Sequence, residues 1–236
     1  MKEVVILGGG YGFHEVLAII DSINENEQSI KVIGILDDDP KLYNSEIKGI
    51  KVLGVLDDWS MFDNEINFII AIGTYSNLSL RKYIVDKLQI PIERFLKLID
   101  PKAIILTNHE DIGCGSIIHS NVIIHPLTIV GNFVVISAST VIGVSNIIND
   151  YTLIAAGVVT TTNITFGACS FVGAGVVIGP NVLIGCQVLI ALGSVVFKDV
   201  DHGHKIIGNP ARSFEKSQVN TDLILFHLER LEKLKK

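Results

Sequence analysis

No stretch of this 236-residue chain is long and apolar enough to cross a bilayer as a helix. The composition is 48% hydrophobic and the mean hydropathy is +0.47. Yet the longest apolar runs, such as INFIIAIG around Ile69, stop far short of the roughly 20 residues a spanning helix needs. The excess is Val and Ile dispersed over short strands. Cysteine is scarce as well. Cys114, Cys169 and Cys186 are odd in number and form no CxxC pair, which excludes a disulfide framework and leaves them as reduced small core or corner residues. Positive charge is also short: 19 Lys and Arg against 25 Asp and Glu give a net charge of −6, which argues against a broad nucleic-acid or anionic-membrane surface. MKEVVILGGG enters a strand at once with no signal-peptide features, so a cytoplasmic location is expected.

What the chain has in abundance is a period. From Ile112 to Val195 it divides without insertion into sixes: IGCGSI, IHSNVI, IHPLTI, VGNFVV, ISASTV, IGVSNI, INDYTL, IAAGVV, TTTNIT, FGACSF, VGAGVV, IGPNVL, IGCQVL, IALGSV. Only Thr160 breaks the aliphatic or aromatic first column. Small residues crowd the second (Gly113, Gly131, Gly143, Gly167, Gly173, Gly179, Gly185, Ala191), and small or β-branched ones the fifth. Strand alternation with period two does not keep glycine in one column over fourteen repeats. A solenoid does: three sixes form one triangular coil, first-column side chains stack inside, small second-column residues sit at the corners, and each coil contacts only its neighbours.

Ahead of the repeats the chain reads as a Rossmann-like half-domain. A buried strand, the turn GGGYG and an amphipathic helix open it, and KVIGILDDDP supplies a second strand ending at Asp37, Asp38 and Asp39. Gly8, Gly10 and Gly12 let the backbone turn, and the helix N-terminus behind Tyr11 offers N–H groups to an anion. The acidic group can accept hydrogen bonds from ribose hydroxyls. A GxGxxG frame starting at Gly8 puts Phe13 in the third glycine's place, which speaks against NAD. A helix is expected over SNLSLRKYIVDKL and a short strand over FLKLID. The boundaries are set at 1–100 for this domain, 101–200 for the β-helix, and 201–236 for a GNPAR loop that leaves the coil plus an amphipathic helix, NTDLILFHLERLEKLKK, with a cap at Asn220 or Thr221.

The sixes, followed by KDV and IIGNPAR, resemble the hexapeptide-repeat acyltransferases. With the N-terminal part included, residues 1 to about 214 resemble the sialic acid O-acetyltransferase and bacillosamine-type sugar N-acetyltransferase family. The resemblance implies an α/β Rossmann-like half-domain, a left-handed parallel β-helix and a C-terminal helix. It implies an acyltransferase using acetyl-CoA as co-substrate, without metal, on a nucleotide-activated amino sugar or nonulosonic acid, assembled as a homotrimer for surface glycan biosynthesis. The sugar-nucleotide would meet Gly8, Gly10, Tyr11, Gly12, Asp37 and Asp38. By gap-free transfer the donor would run past Thr162 on one coil face and Ala174 and Leu192 on another, toward Gly208 and Pro210, with Lys198, Lys205 and Arg212 near its phosphates.

One departure stands out. The family's catalytic His and the acidic residue after it fall on Val144 and Ser145. Relocation to His125 is one reading, since it stands three sixes before Gly143 and neighbouring coils lie about 4.8 Å apart; a corner or interface role for His125 is the other. His202 and His204 are a second candidate pair, and attack by an uncharged acceptor with positioning alone is a third route. A non-catalytic paralogue that binds sugar nucleotide or a partner remains the alternative function.

Overall fold

The computed structural model describes residues 1–25, 28–73, 75–219, 221–222 and 224–225. One compact unit is Met1–Pro101, and a second begins at Lys102. In the first unit, strands β1 (Lys2–Leu7), β2 (Ile30–Leu36), β3 (Glu46–Ile47), β4 (Ile50–Gly54) and β5 (Asn67–Ile70) form a sheet ordered β3-β4-β2-β1-β5. Pairing is parallel except for the β3/β4 hairpin. Val4 to Leu7, buried on both faces, read as an uninterrupted apolar run because central parallel strands are covered on both sides. Helix α1 (Tyr11–Asn24) buries Phe13, Val16, Ile19 and Ile20, a stripe at helical spacing. Its end is tied to β2 by the Asn24 carboxamide, which accepts from the Ser29 and Ile30 amides and donates to the Ile30 carbonyl. Helix α2 is shorter than the pattern suggests, spanning Leu80–Leu88. The chain ahead of it turns instead, the Leu80 amide bonding the Asn77 carbonyl.

The second unit is a parallel β-helix. Its short strands each pair in parallel with the strand three sixes further along, as in Ile129 with Ile147 and Leu153 with Phe171. All fourteen first-column residues point inward and are buried, Thr160 included, and so are all fourteen fifth-column residues from Ser116 to Ser194. A column the composition does not advertise makes the turns. Every fourth-column residue, Gly115 to Gly193, has a left-handed backbone with φ between 53° and 68°. Leu127, Phe133 and Tyr151 stand there alongside the expected Gly and Asn, at a local cost on the order of 1–2 kcal/mol each. The second column is small for a different reason: a Cβ at Gly167 would lie 2.3 Å from the Cys186 amide nitrogen of the next coil.

The segment after Val195 does not leave the coil as expected. His204–Gly208 adds as a further parallel strand on Leu189–Ile190, then reverses through the cis Asn209-Pro210 bond into antiparallel Ala211–Lys216. Leu189 pairs with Lys205, so the last coil is shorter than the three sixes of those before it, and the period is lost from the sequence while the coil continues. The C-terminal helix expected from Asn220 lies almost wholly outside the described residues. Gly167→Ala is expected to destabilise the fold by about 2–3 kcal/mol because backbone must move. Gly179→Ala, which meets the Phe197 side chain at 3.3 Å and backbone only beyond that, should stay within about 0.5 kcal/mol of the parent; urea unfolding of the two variants measures the difference.

Candidate functional site

In the first unit the glycine turn is held by its own acidic residue. Asp37 Oδ2 accepts the Gly9 amide at 2.6 Å and Oδ1 accepts the Asp39 amide at 2.8 Å. Asp38 accepts the Leu56 amide and Asp39 the Lys41 amide. The carboxylates expected to face ribose thus brace the loops first, with lone pairs remaining on each. Gly8 needs its φ of 104° and sits against Ile72, while Gly12 lets α1 approach the end of β5, where a Cβ would come 2.1 Å from the Ala71 carbonyl oxygen. Gly10 has open space around its Cα and Tyr11 is 95% exposed. The first-turn amides of α1 have no side-chain cap, and the first of them have no intrahelical acceptor. Sequence reasoning missed Arg81, a buried guanidinium on α2 whose Nε donates to the Ile72 carbonyl at 2.9 Å and so fixes the loop beside Gly8.

In the second unit the three corners of the coil differ. At the corner of Gly113, Gly131 and Asn149, three third-column amides are capped from the next coil: Cys114 N–H by Asn132, Asn132 N–H by Asp150, and Cys186 N–H by His202 Nδ1 at 2.8 Å. Phe133 and Tyr151 stack along the same edge with centroids 5.0 Å apart. Burial pushes the Cys186 thiol there up to about 11. This corner is closed.

The corner of Ala156, Ala174 and Leu192 is open. Among the described residues no side chain caps those three amides, and the adjoining Gly157, Gly175 and Gly193 have no atom within 4 Å of a would-be Cβ. Gly208 continues the row, its amide donating to Ser194 Oγ. Ala174, Leu192, Gly208 and Pro210 thus follow one edge, and the backbone along it is bare. Next to it the hairpin encloses a cavity of about 500 Å³ lined by Lys198, His204, Pro210 and Arg212 among others. Lys205 departs from its expected part: its ammonium pairs with Glu215 across the hairpin at 2.6 Å.

The third corner brings His125, Val144 and Thr162 together on consecutive coils. The His125 amide bonds the Ile142 carbonyl, the Ser145 amide bonds the Pro126 carbonyl, and the Val144 carbonyl accepts both the Thr162 hydroxyl and the Asn163 amide. His125 is half-buried one coil before Gly143, which has no side chain to crowd it, and Val144 is 39% exposed. Thr162 lies on this corner and Ala174 on another. His202 is a structural cap, and burial holds its imidazole below the ordinary range.

Residues 3–88 match the PglD N-terminal domain family. The chain superposes on the acetyltransferase domain of PglB from Neisseria gonorrhoeae with a TM-score of 0.76 at 19% identity, covering 91% of this chain and 100% of that one. PerB from Caulobacter crescentus in complex with CoA and GDP-perosamine gives 0.77 at 21%, over 91% and 98%. The fold is theirs. WeeI from Acinetobacter baumannii agrees at 0.75 and 23%, over 91% and 100%. A search of curated protein sequences finds no match.

Because the folded state disfavours the His202 imidazolium, the unfolded chain binds more protons across the interval below the usual histidine value. His202's contribution to stability is therefore full above that value and is lost as pH falls through the folded one. Denaturant titrations from pH 8 to 5 should show this loss, and His202→Asn, which can cap as Asn132 does without titrating, should remove it.

Proposed function

We propose that the chain is an acyl-CoA dependent N- or O-acyltransferase acting on a nucleotide-activated amino sugar or nonulosonic acid in surface glycan assembly. The observation that carries the reading is the contrast between corners: the closed corner has the Cys114, Asn132 and Cys186 amides bonded to side chains, whereas the edge of Ala156, Ala174 and Leu192 carries no such caps among the described residues and has open space at Gly157, Gly175 and Gly193, a bed for a pantetheine arm leading to Gly208 and Pro210. PerB's structure with CoA and GDP-perosamine, on the same fold, supports the same pairing of ligands. The nucleotide would sit at Gly8, Gly10, Tyr11 and Gly12, its phosphates at the start of α1 and its ribose near Asp37 and Asp38.

The assembly we propose is a homotrimer. Outward sixth-column residues are Val, Ile, Leu or Phe on nearly every strand, with Ile104, Val159, Val177 and Leu183 exposed in the single chain, and packing three such faces would bring the third corner of one copy to the open edge of another. Ala174→Trp should then abolish acetyl-CoA binding in isothermal titration while sedimentation still reports a trimer. Unchanged affinity would remove Ala174 from the site.

For the chemistry, His125 is a titratable side chain one coil before Val144 and Ser145, which stand in place of the family's dyad, and we assign it the role of base toward the acceptor. Acylation of GDP-perosamine and UDP-linked amino sugars, followed as thiol release from acetyl-CoA, should fall about 10² to 10⁴-fold in His125→Ala with donor affinity unchanged. The second reading rests on that same substitution of the dyad: a binding paralogue without turnover. It is favoured if acetyl-CoA binds, no acceptor is acylated, and Val144→His gains nothing.

A further inference from the structure

The coil-to-coil ladder departs from its rule at one second-column position. Elsewhere from Gly113 to Gly179, the second-column amide donates to a first-column carbonyl of the following coil: His125 to Ile142, Thr161 to Ile178, Gly167 to Ile184. The Gly143 amide instead donates to the side-chain hydroxyl of Thr160, at 3.0 Å. Consistently, the strand pair at this level keeps only Val141 with Val159 in register, where neighbouring pairs keep two residues.

Two anomalies of composition meet at this break. Thr160 is the one polar residue of the first column, and Asn146 the one carboxamide of the fifth, whose other members are Ser, Thr, Val or Ile. Both are buried and bonded to each other, Asn146 Nδ2 donating to Thr160 Oγ1 at 2.8 Å. Asn146 Nδ2 also reaches the Gly143 and Thr161 carbonyls, each at 3.0 Å, and its Oδ1 accepts the Ile164 amide at 2.7 Å. Thr128 adds a hydroxyl to the Gly143 carbonyl at 2.8 Å. Gly143 is thus gripped at both its N–H and its C=O by side chains from inside the coil. The two residues thus meet at Gly143, Thr160 holding its amide and Asn146 its carbonyl, and the bond between them joins the two grips.

We propose that Asn146 and Thr160 are positioning residues that hold the corner Gly143-Val144-Ser145 out of the regular ladder, so that the acceptor is presented to His125 on the preceding coil. This deepens, and rests on, the acyl-transfer reading. Neither residue touches substrate. The turn itself is regular, with Ser145 at φ 58°; what differs is the grip on Gly143, at the level that carries Val144 in place of a base and one coil after His125.

The test replaces both residues by what the regular columns use, Asn146→Thr with Thr160→Ile. A threonine hydroxyl at 146 can accept the Ile164 amide as Ser116 and Thr128 accept the amides of Val134 and Asn146, so no buried donor is orphaned; the double variant should melt within a few degrees of the parent, and the Gly143 amide should regain its ladder bond, seen as slower hydrogen exchange. Turnover of GDP-perosamine or a UDP-linked amino sugar should drop about 10²-fold, the scale of a misplacement near 1 Å, with acetyl-CoA affinity unchanged. If the variant folds and turns over as the parent does, the pair is merely structural and the proposal is overturned. If the parent itself binds acetyl-CoA and acylates no acceptor, the acyl-transfer reading fails, and the positioning role falls with it. Should the double variant not fold, Asn146→Ser, which keeps a smaller donor at the same place, must lower turnover while the melting temperature holds; retained turnover overturns the proposal.

Discussion

The second unit depends on one backbone conformation repeated in every six. A left-handed residue in the fourth column swings the chain through each corner, and three such turns set each strand directly above its predecessor, where backbone amides and carbonyls meet. Because a left-handed residue is unfavourable for most side chains, the turns at Leu127, Phe133 and Tyr151 persist through what surrounds them: the buried first and fifth columns on the inside and, at Phe133 and Tyr151, a stacked pair of rings on the outside.

Once the coils stack in register, each corner becomes a column of equivalent positions, and the side chains standing there decide what the corner can do. Asn132, Asp150 and His202 turn one column inward, each giving its acceptor to an amide of the coil before it. Alanine and glycine leave a second column bare. At the third the interior itself intrudes, since Asn146 and Thr160 take hold of Gly143 and alter the ladder. One scaffold thereby carries a sealed edge, an open edge and a reshaped edge, and the proposed chemistry follows the last two.

Much of this is readable in the residues. The first column predicts one of the two inward columns, and the second predicts where backbone of adjacent coils comes close, because both follow directly from side-chain volume. The turn column is hidden, since Leu, Phe, Tyr and Gln in left-handed positions carry no local signal. The hairpin of His204–Gly208 and Ala211–Lys216 reads in the sequence as a departing loop because the coil shortens just where the period would have revealed it. Asp37 looks like a ligand group, yet its Oδ2 also fastens the glycine turn to the end of β2, a use visible only when residues 28 apart are brought together. Thr160 stands out as an exception in its column; its partner Asn146, 14 residues away, explains it only in three dimensions.

The claim that the corners divide the labour is tested most directly by hydrogen exchange of the whole chain with and without acetyl-CoA. The account predicts new protection at the amides of Ala156, Ala174 and Leu192 and at the corner of Val144 and Thr162, with no change at Cys114, Asn132 and Cys186, whose amides already have acceptors. Protection confined to the capped corner, or spread evenly over all three, would contradict it.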